Sequence, residues 1–137
     1  MSDFVVDNSV SMSWAFEDEG NQYADAVLES LQSNEAAVPV IWRLEAANVL
    51  VVAQRQERLR AADQSRFIAL IGDLPIEVVQ GTVRIRDLID LAWDMELSAY
   101  DASYLDLALN RALPLATCDK GLRRAAGEAG VDLWLKD

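Results

Sequence analysis

A chain of 137 residues with 52% apolar side chains has enough material for one core and too little for two, so residues 1–137 are expected to form a single domain. With no histidine and one cysteine, Cys118, it lacks an internal disulfide, a histidine–thiolate zinc set and any mechanism that turns on an imidazole, from Ser-His-Asp triads to two-histidine ribonucleases. A net charge of −11 leaves carboxylates, hydroxyls and a few bases for chemistry, and any role on nucleic acid then needs a local basic patch or bound cations.

The N-terminal run Phe4-Val5-Val6 is apolar and β-branched and stops at Asp7, as a buried parallel strand does where it meets the sheet edge. Asn8 and Ser9 can cap the segment from Val10 to Phe16, and the short helical stretch is expected to close over Ser13 to Glu19. Tyr23, Ala24, Val27, Leu28 and Leu31 recur at helical spacing, so Asn21 to Ser33 reads as an amphipathic helix. Ala36 to Val40 suits a strand, with Pro39 confined to an edge or a strand end. A long helix is expected from Ile41 to Gln56, supported by Leu44, Ala47, Val51 and Val52. On it Glu45 shares a face with Asn48, Val49 and Val52, and an acid on that stripe needs a partner.

Ala61 to Leu74 reads as the second helix of a hairpin, with Phe67, Ile68 and Ile71 facing the first, and Pro75 ends it. Ile76 to Val79 is a strand by composition, and Gly81-Thr82 supplies the turn into a helix from Val83 to Glu96. The helix from Leu97 to Arg111 turns Leu105, Ala108, Leu109 and Ala112 toward the core, and Asp101 lies at the N-terminal end of that stripe. Pro114 to Cys118 forms the fourth strand, Asp119 ends it as Asp7 ends the first, and a short basic helix, Lys120 to Glu128, and a last strand, Val131 to Leu135, follow. Strands alternating with helices imply a doubly wound α/β/α fold of four to five mainly parallel strands. Neither a signal peptide nor an apolar run of membrane-spanning length is present, so a soluble, cytoplasmic protein with no membrane partner is expected.

In such a wind, strand ends and the starts of following helices share one edge, which allows Asp7, Glu45, Asp101 and Asp119 to converge. Close-packed carboxylates repel one another unless a cation sits among them, and ligands that are all oxygen select hard ions such as Mg²⁺, with Mn²⁺ as a substitute. One or two such ions can activate water and polarise a phosphodiester without any histidine, while Ser9 and Thr117 position that water or hold a carboxylate.

Taken in order, VVDNSV, RLEAANVL, AYDASYLDLA and LATCDKGL resemble the PIN domain, and in particular the VapC-type toxins of bacterial type II toxin–antitoxin systems, over Asp3 to about Leu133. The resemblance implies a PIN-like doubly wound sheet with a Mg²⁺ site, endoribonuclease action on structured cellular RNA of the tRNA or rRNA class, dimerisation, and inhibition by a cognate antitoxin. The expected assembly is a homodimer or a hetero-oligomer with that antitoxin. It assigns the catalytic and metal positions to Asp7, Glu45, Asp101 and Asp119, with Asn48 one turn beyond Glu45 and Thr117 before Asp119.

Each acid also has a plainer structural use. Ser98-x-x-Asp101 fits a capping box, Asp7 and Asp119 fit N-caps, and Glu45 suits a helix N-terminus or a buried arginine. The best phosphate-binding candidates are Lys120, Arg84, Arg86, Arg123 and Arg124. Trp14, Trp42, Trp93 and Trp134 read as core or interface, Cys118 as inert, and Asp18, Glu19, Asp94, Glu96 and Asp106 as solvated faces. Two rival functions stand beside the nuclease: a receiver-like phosphoacceptor domain, which Ile76 to Val79 serves badly because it carries no acceptor aspartate, and a catalytically silent PIN-fold binding module.

Overall fold

The computed structural model describes residues 1–16, 20–81 and 83–135. Four strands, β1 (Phe4–Val6), β2 (Ala36–Pro39), β3 (Ile76–Val79) and β4 (Leu115–Ala116), form one sheet in the order β3-β2-β1-β4 with every pair parallel. All three residues of β1 are fully buried, and alternate strand residues point to opposite faces, so helices cover both sides of the sheet. The helices are α1 (Asn8–Ser11), α2 (Gln22–Ser30), α3 (Ile41–Arg55), α4 (Ala61–Asp73), α5 (Ile85–Met95), α6 (Ala99–Arg111) and α7 (Lys120–Ala129). A doubly wound α/β fold is what the alternation of elements predicts.

The strand order fixes where a ligand crevice lies. The chain builds outward from β1 through β2 to β3 and then crosses back to place β4 on the other side of β1, which makes the β1/β4 boundary the topological switch point. Both strands point their carboxyl ends to the same edge, the edge at which Asp7 and Thr117 leave the sheet.

Several local expectations need correction. The segment from Val131 to Leu135 makes only a single parallel bridge, Leu115 to Leu133, while the rest turns so that the Trp134 ring stacks on Phe4 at 4.5 Å. Burying that aromatic pair wins over extending the ladder. β4 is strand over two residues, because the chain leaves the ladder at Thr117, whose Oγ1 accepts from the Asp119 N–H, and Asp119 caps the next helix. Leu109 and Ala112 are exposed, since α6 turns them past the sheet, and Tyr104 and Leu107 complete its buried face instead. Leu44, Val51, Val52 and Ile68 are also exposed, and α4 packs chiefly on a 3-10 turn (Met12–Ala15) that follows α1, so the α3–α4 hairpin is open rather than zipped. Pro39 closes β2 at its end, in a central strand. Trp14 and Trp42 are core residues, whereas Trp93 is 83% exposed. The readings placed on Glu17 to Glu19 and on Thr82 lie outside the described residues.

Candidate acidic site at the switch point

Asp7 leaves β1 with extended backbone and caps α1, its Oδ1 accepting from the Val10 N–H at 3.2 Å and from Ser9 Oγ at 2.6 Å. Thr117 Oγ1, arriving at the end of β4, donates to Oδ2 at 2.5 Å. With only 4% of its surface exposed, Asp7 is desolvated strongly enough to raise its pKa from 3.8 to about 6 despite these donors, and the Asp101 charge adds to the shift.

The same two hydroxyls tie the second turn to the first. Ser9 Oγ accepts from the Cys118 N–H at 2.8 Å, and Thr117 Oγ1 accepts from the Asp119 N–H at 3.0 Å. Asp119 in turn caps α7 through Oδ2, which accepts from the Leu122 N–H at 2.8 Å. A side chain at position 121 would crowd that carboxylate, since a Cβ on Gly121 would stand 3.3 Å from Oδ2.

Glu45, on the second turn of α3, is held by neutral donors rather than by an arginine. Its Oε1 accepts from Asn8 Nδ2 at 2.8 Å and from the Tyr104 hydroxyl at 2.6 Å. Burial first, and then the adjoining Glu45, push the Tyr104 phenol well above its ordinary pKa, so it remains a donor at any physiological pH. Asp101 stands in the first turn of α6, its N–H capped by Ser98 Oγ at 3.1 Å. Burial raises its pKa, and the charges of Asp119 and then Glu45 raise it further. Each capping use of these aspartates is therefore real, and Asp101 still links the set, feeling the charges of Asp119 and Glu45 while its own charge acts on Asp7.

Among the described residues none of the four forms an ion pair, and no three acidic side chains already stand close enough to chelate an ion. All-oxygen donors that lack a cationic partner, without nitrogen or sulfur among them, fit a hard divalent cation by their chemistry. Asn48 is exposed one turn along α3 and makes no hydrogen bond within the cluster. Asn8 and Tyr104 are the members that sequence reasoning missed. A tyrosine three residues past Asp101, with its ring on a buried stripe, needs a polar partner for its hydroxyl, and that was the available signal.

The basic candidates fall into two groups. Lys120, Arg123 and Arg124 lie on α7 beside Asp119: Lys120 is exposed, Arg123 Nε donates to the Thr117 carbonyl at 2.7 Å with its guanidinium over the Tyr23 ring, and Arg124 donates to the Met95 carbonyl at 2.7 Å. Arg84 and Arg86 lie at the start of α5, within 3.9 Å of Asp87 and 3.6 Å of Asp90 respectively. The Cys118 thiol is half-buried and raised in pKa mainly by burial, in keeping with an unreactive role.

The four-stranded parallel sheet ordered 3-2-1-4 between helices is PIN-like, and the PIN domain model matches residues 4–128. The chain belongs to the PIN domain family, whose members are generally nucleases. Its fold is similar to that of PAE2754 from Pyrobaculum aerophilum, at 23% identity and a TM-score of 0.70 over 90% of this chain and 86% of that one. It is also similar to a chain of a toxin–antitoxin complex from Klebsiella pneumoniae, at 22% identity and a TM-score of 0.62 over 93% of this chain and 94% of that one. None of the curated proteins matches it. Among the described residues no helix is long and apolar enough to cross a membrane.

Proposed function

We propose that this chain is a Mg²⁺-dependent endoribonuclease and the toxin of a VapC-type toxin–antitoxin pair, cleaving structured cellular RNA of the tRNA or rRNA class in the cytoplasm. The observation that supports the reading is that Asp101, on α6, feels the charges of Asp119 and Glu45, while Asp7, buried at the β1/β4 switch point, feels that of Asp101, with no ion pair to any of the four among the described residues. Family membership supports the nuclease class, and the likeness to a chain in a toxin–antitoxin complex supports the antitoxin partner.

Asp7 and Asp101 would be the main ligands of the ion, with Glu45 and Asp119 completing the set. Mg²⁺, or Mn²⁺ in its place, would supply Lewis acidity toward the phosphodiester and lower the pKa of the attacking water. Ser9 and Thr117 fix the Asp7 carboxylate from both sides, so its orientation is set before substrate arrives. Lys120 beside Asp119 takes a neighbouring phosphate, with Arg123, Arg124, Arg84 and Arg86 as further candidates, and local cations of this kind are what a chain of net charge −11 needs in order to hold RNA. A homodimer is the proposed assembly, and the exposed apolar residues Ile85, Ile89 and Trp93 along one side of α5 support association with another chain.

Purified protein should cleave total cellular RNA in the presence of Mg²⁺, stop on addition of EDTA, and lose at least about a hundredfold in rate as Asp7→Ala while remaining folded by circular dichroism. Asp7→Ala should also be harmless when expressed without antitoxin. Undiminished cleavage by Asp7→Ala would remove this reading.

A further inference from the structure

Glu45 and Asp7 have in common that the protein itself saturates one oxygen of each carboxylate. A carboxylate oxygen offers about two lone-pair sites. Oε1 of Glu45 spends both on Asn8 Nδ2 at 2.8 Å and the Tyr104 hydroxyl at 2.6 Å, and Asn8 Nδ2 also lies 3.2 Å from that hydroxyl, so the three groups close a ring. Oδ1 of Asp7 likewise receives Ser9 Oγ and the Val10 N–H. Each side chain can therefore offer a cation only its other oxygen, and that of Asp7, Oδ2, already accepts from Thr117 Oγ1 and keeps one lone-pair site. The donors are not free to swing away: Tyr104 is 1% exposed within the core, and Asn8 follows Asp7 in the first turn of α1.

One-oxygen coordination has a consequence for which ion is taken. Ca²⁺ collects six to eight oxygens at about 2.3–2.6 Å and commonly grips carboxylates by both oxygens, whereas Mg²⁺ is octahedral at about 2.0–2.1 Å and uses single carboxylate oxygens together with waters. We propose that Asn8 and Tyr104 are positioning residues that hold Glu45 to one-oxygen coordination and thereby make the acidic site discriminate Mg²⁺ and Mn²⁺ against Ca²⁺. This inference rests on the metal-nuclease reading.

The test is calorimetric titration of the full chain with MgCl₂, MnCl₂ and CaCl₂ separately, for the wild type, Tyr104→Phe, Asn8→Ala and the double substitution. Tyr104→Phe keeps the buried ring and removes only the hydroxyl. The wild type should bind Mg²⁺ and Mn²⁺ more tightly than Ca²⁺, and the ratio of Ca²⁺ to Mg²⁺ dissociation constants should fall by about tenfold in the double variant and by less in each single one. A loss of packing alone weakens all three ions together and leaves that ratio in place. An unchanged ratio in both single variants, with the wild type binding normally, overturns the proposal and leaves the nuclease reading standing. A wild type that binds none of the three ions overturns both.

Discussion

Asp7 carries an energetic conflict that the folded protein must bear. Its carboxyl is buried and titrates at about 6 when folded, against an ordinary aspartate value of 3.8, so between these values the folded chain binds more protons than the unfolded chain. Stability from this group is therefore fully present below about pH 4 and declines as pH rises toward 6, by roughly 3 kcal/mol at most. Asp101, also raised, acts in the same direction. Urea unfolding of metal-free protein at stepped pH should show that decline, and Asp7→Asn should flatten it. Thr117 is fully buried and serves both acids, donating to Asp7 and accepting from the Asp119 N–H. Thr117→Val keeps the shape and leaves both groups short of a partner, so it should cost about 1–3 kcal/mol in the same urea assay and weaken metal binding in parallel.

Helix ends show where the sequence is not optimal for its own backbone. α5 ends on Glu96 and α6 on Ala112, both in the left-handed region at φ 55° and 53°, whereas α7 ends on Gly130 at φ 78°. The Leu113 N–H reaches the Ala108 carbonyl at 2.9 Å across the Ala112 cap, a closure that glycine makes without the Cβ clash. Ala112→Gly and Glu96→Gly should each stabilise by about 0.5–1 kcal/mol and raise the melting temperature by about 2–5 °C. Gly130→Ala should do the reverse by a similar amount. These positions lie at the C-terminal ends of helices, and α6 presents Asp101 from its other end, so cleavage rates should not follow the melting temperatures.

At whole-molecule scale, a net charge of −11 favours expansion, as does the repulsion of Asp101 by Asp119 and Glu45, and a divalent ion bound by the acids would relieve the second. Mg²⁺ or Mn²⁺ at a hundred times its dissociation constant should raise the unfolding free energy by about 2.7 kcal/mol, while NaCl of equal ionic strength should give only a small general screening effect. Differential scanning calorimetry separates the two, because Asp7→Asn should abolish the specific increment and leave the screening untouched.

Local pattern alone was enough to read the alternation of strands and helices, the burial of β1, and acids at strand ends and helix starts. Those features rest on local periodicity and on a change of residue type within a few positions, and Phe4 to Asp7 displays both. It also carried the family motifs, since these are contiguous. Packing in three dimensions was needed to show that β4 lies beside β1, that Tyr104 and Asn8 clamp Glu45, that Ser9 and Thr117 bind the two turns into one unit, and that Leu109 faces outward. The reason is physical. Strand order and long-range hydrogen bonds join residues far apart in the chain, as Asp7 and Thr117 are at 110 positions, and no short-range pattern records which of several possible partners the packed core brings within reach.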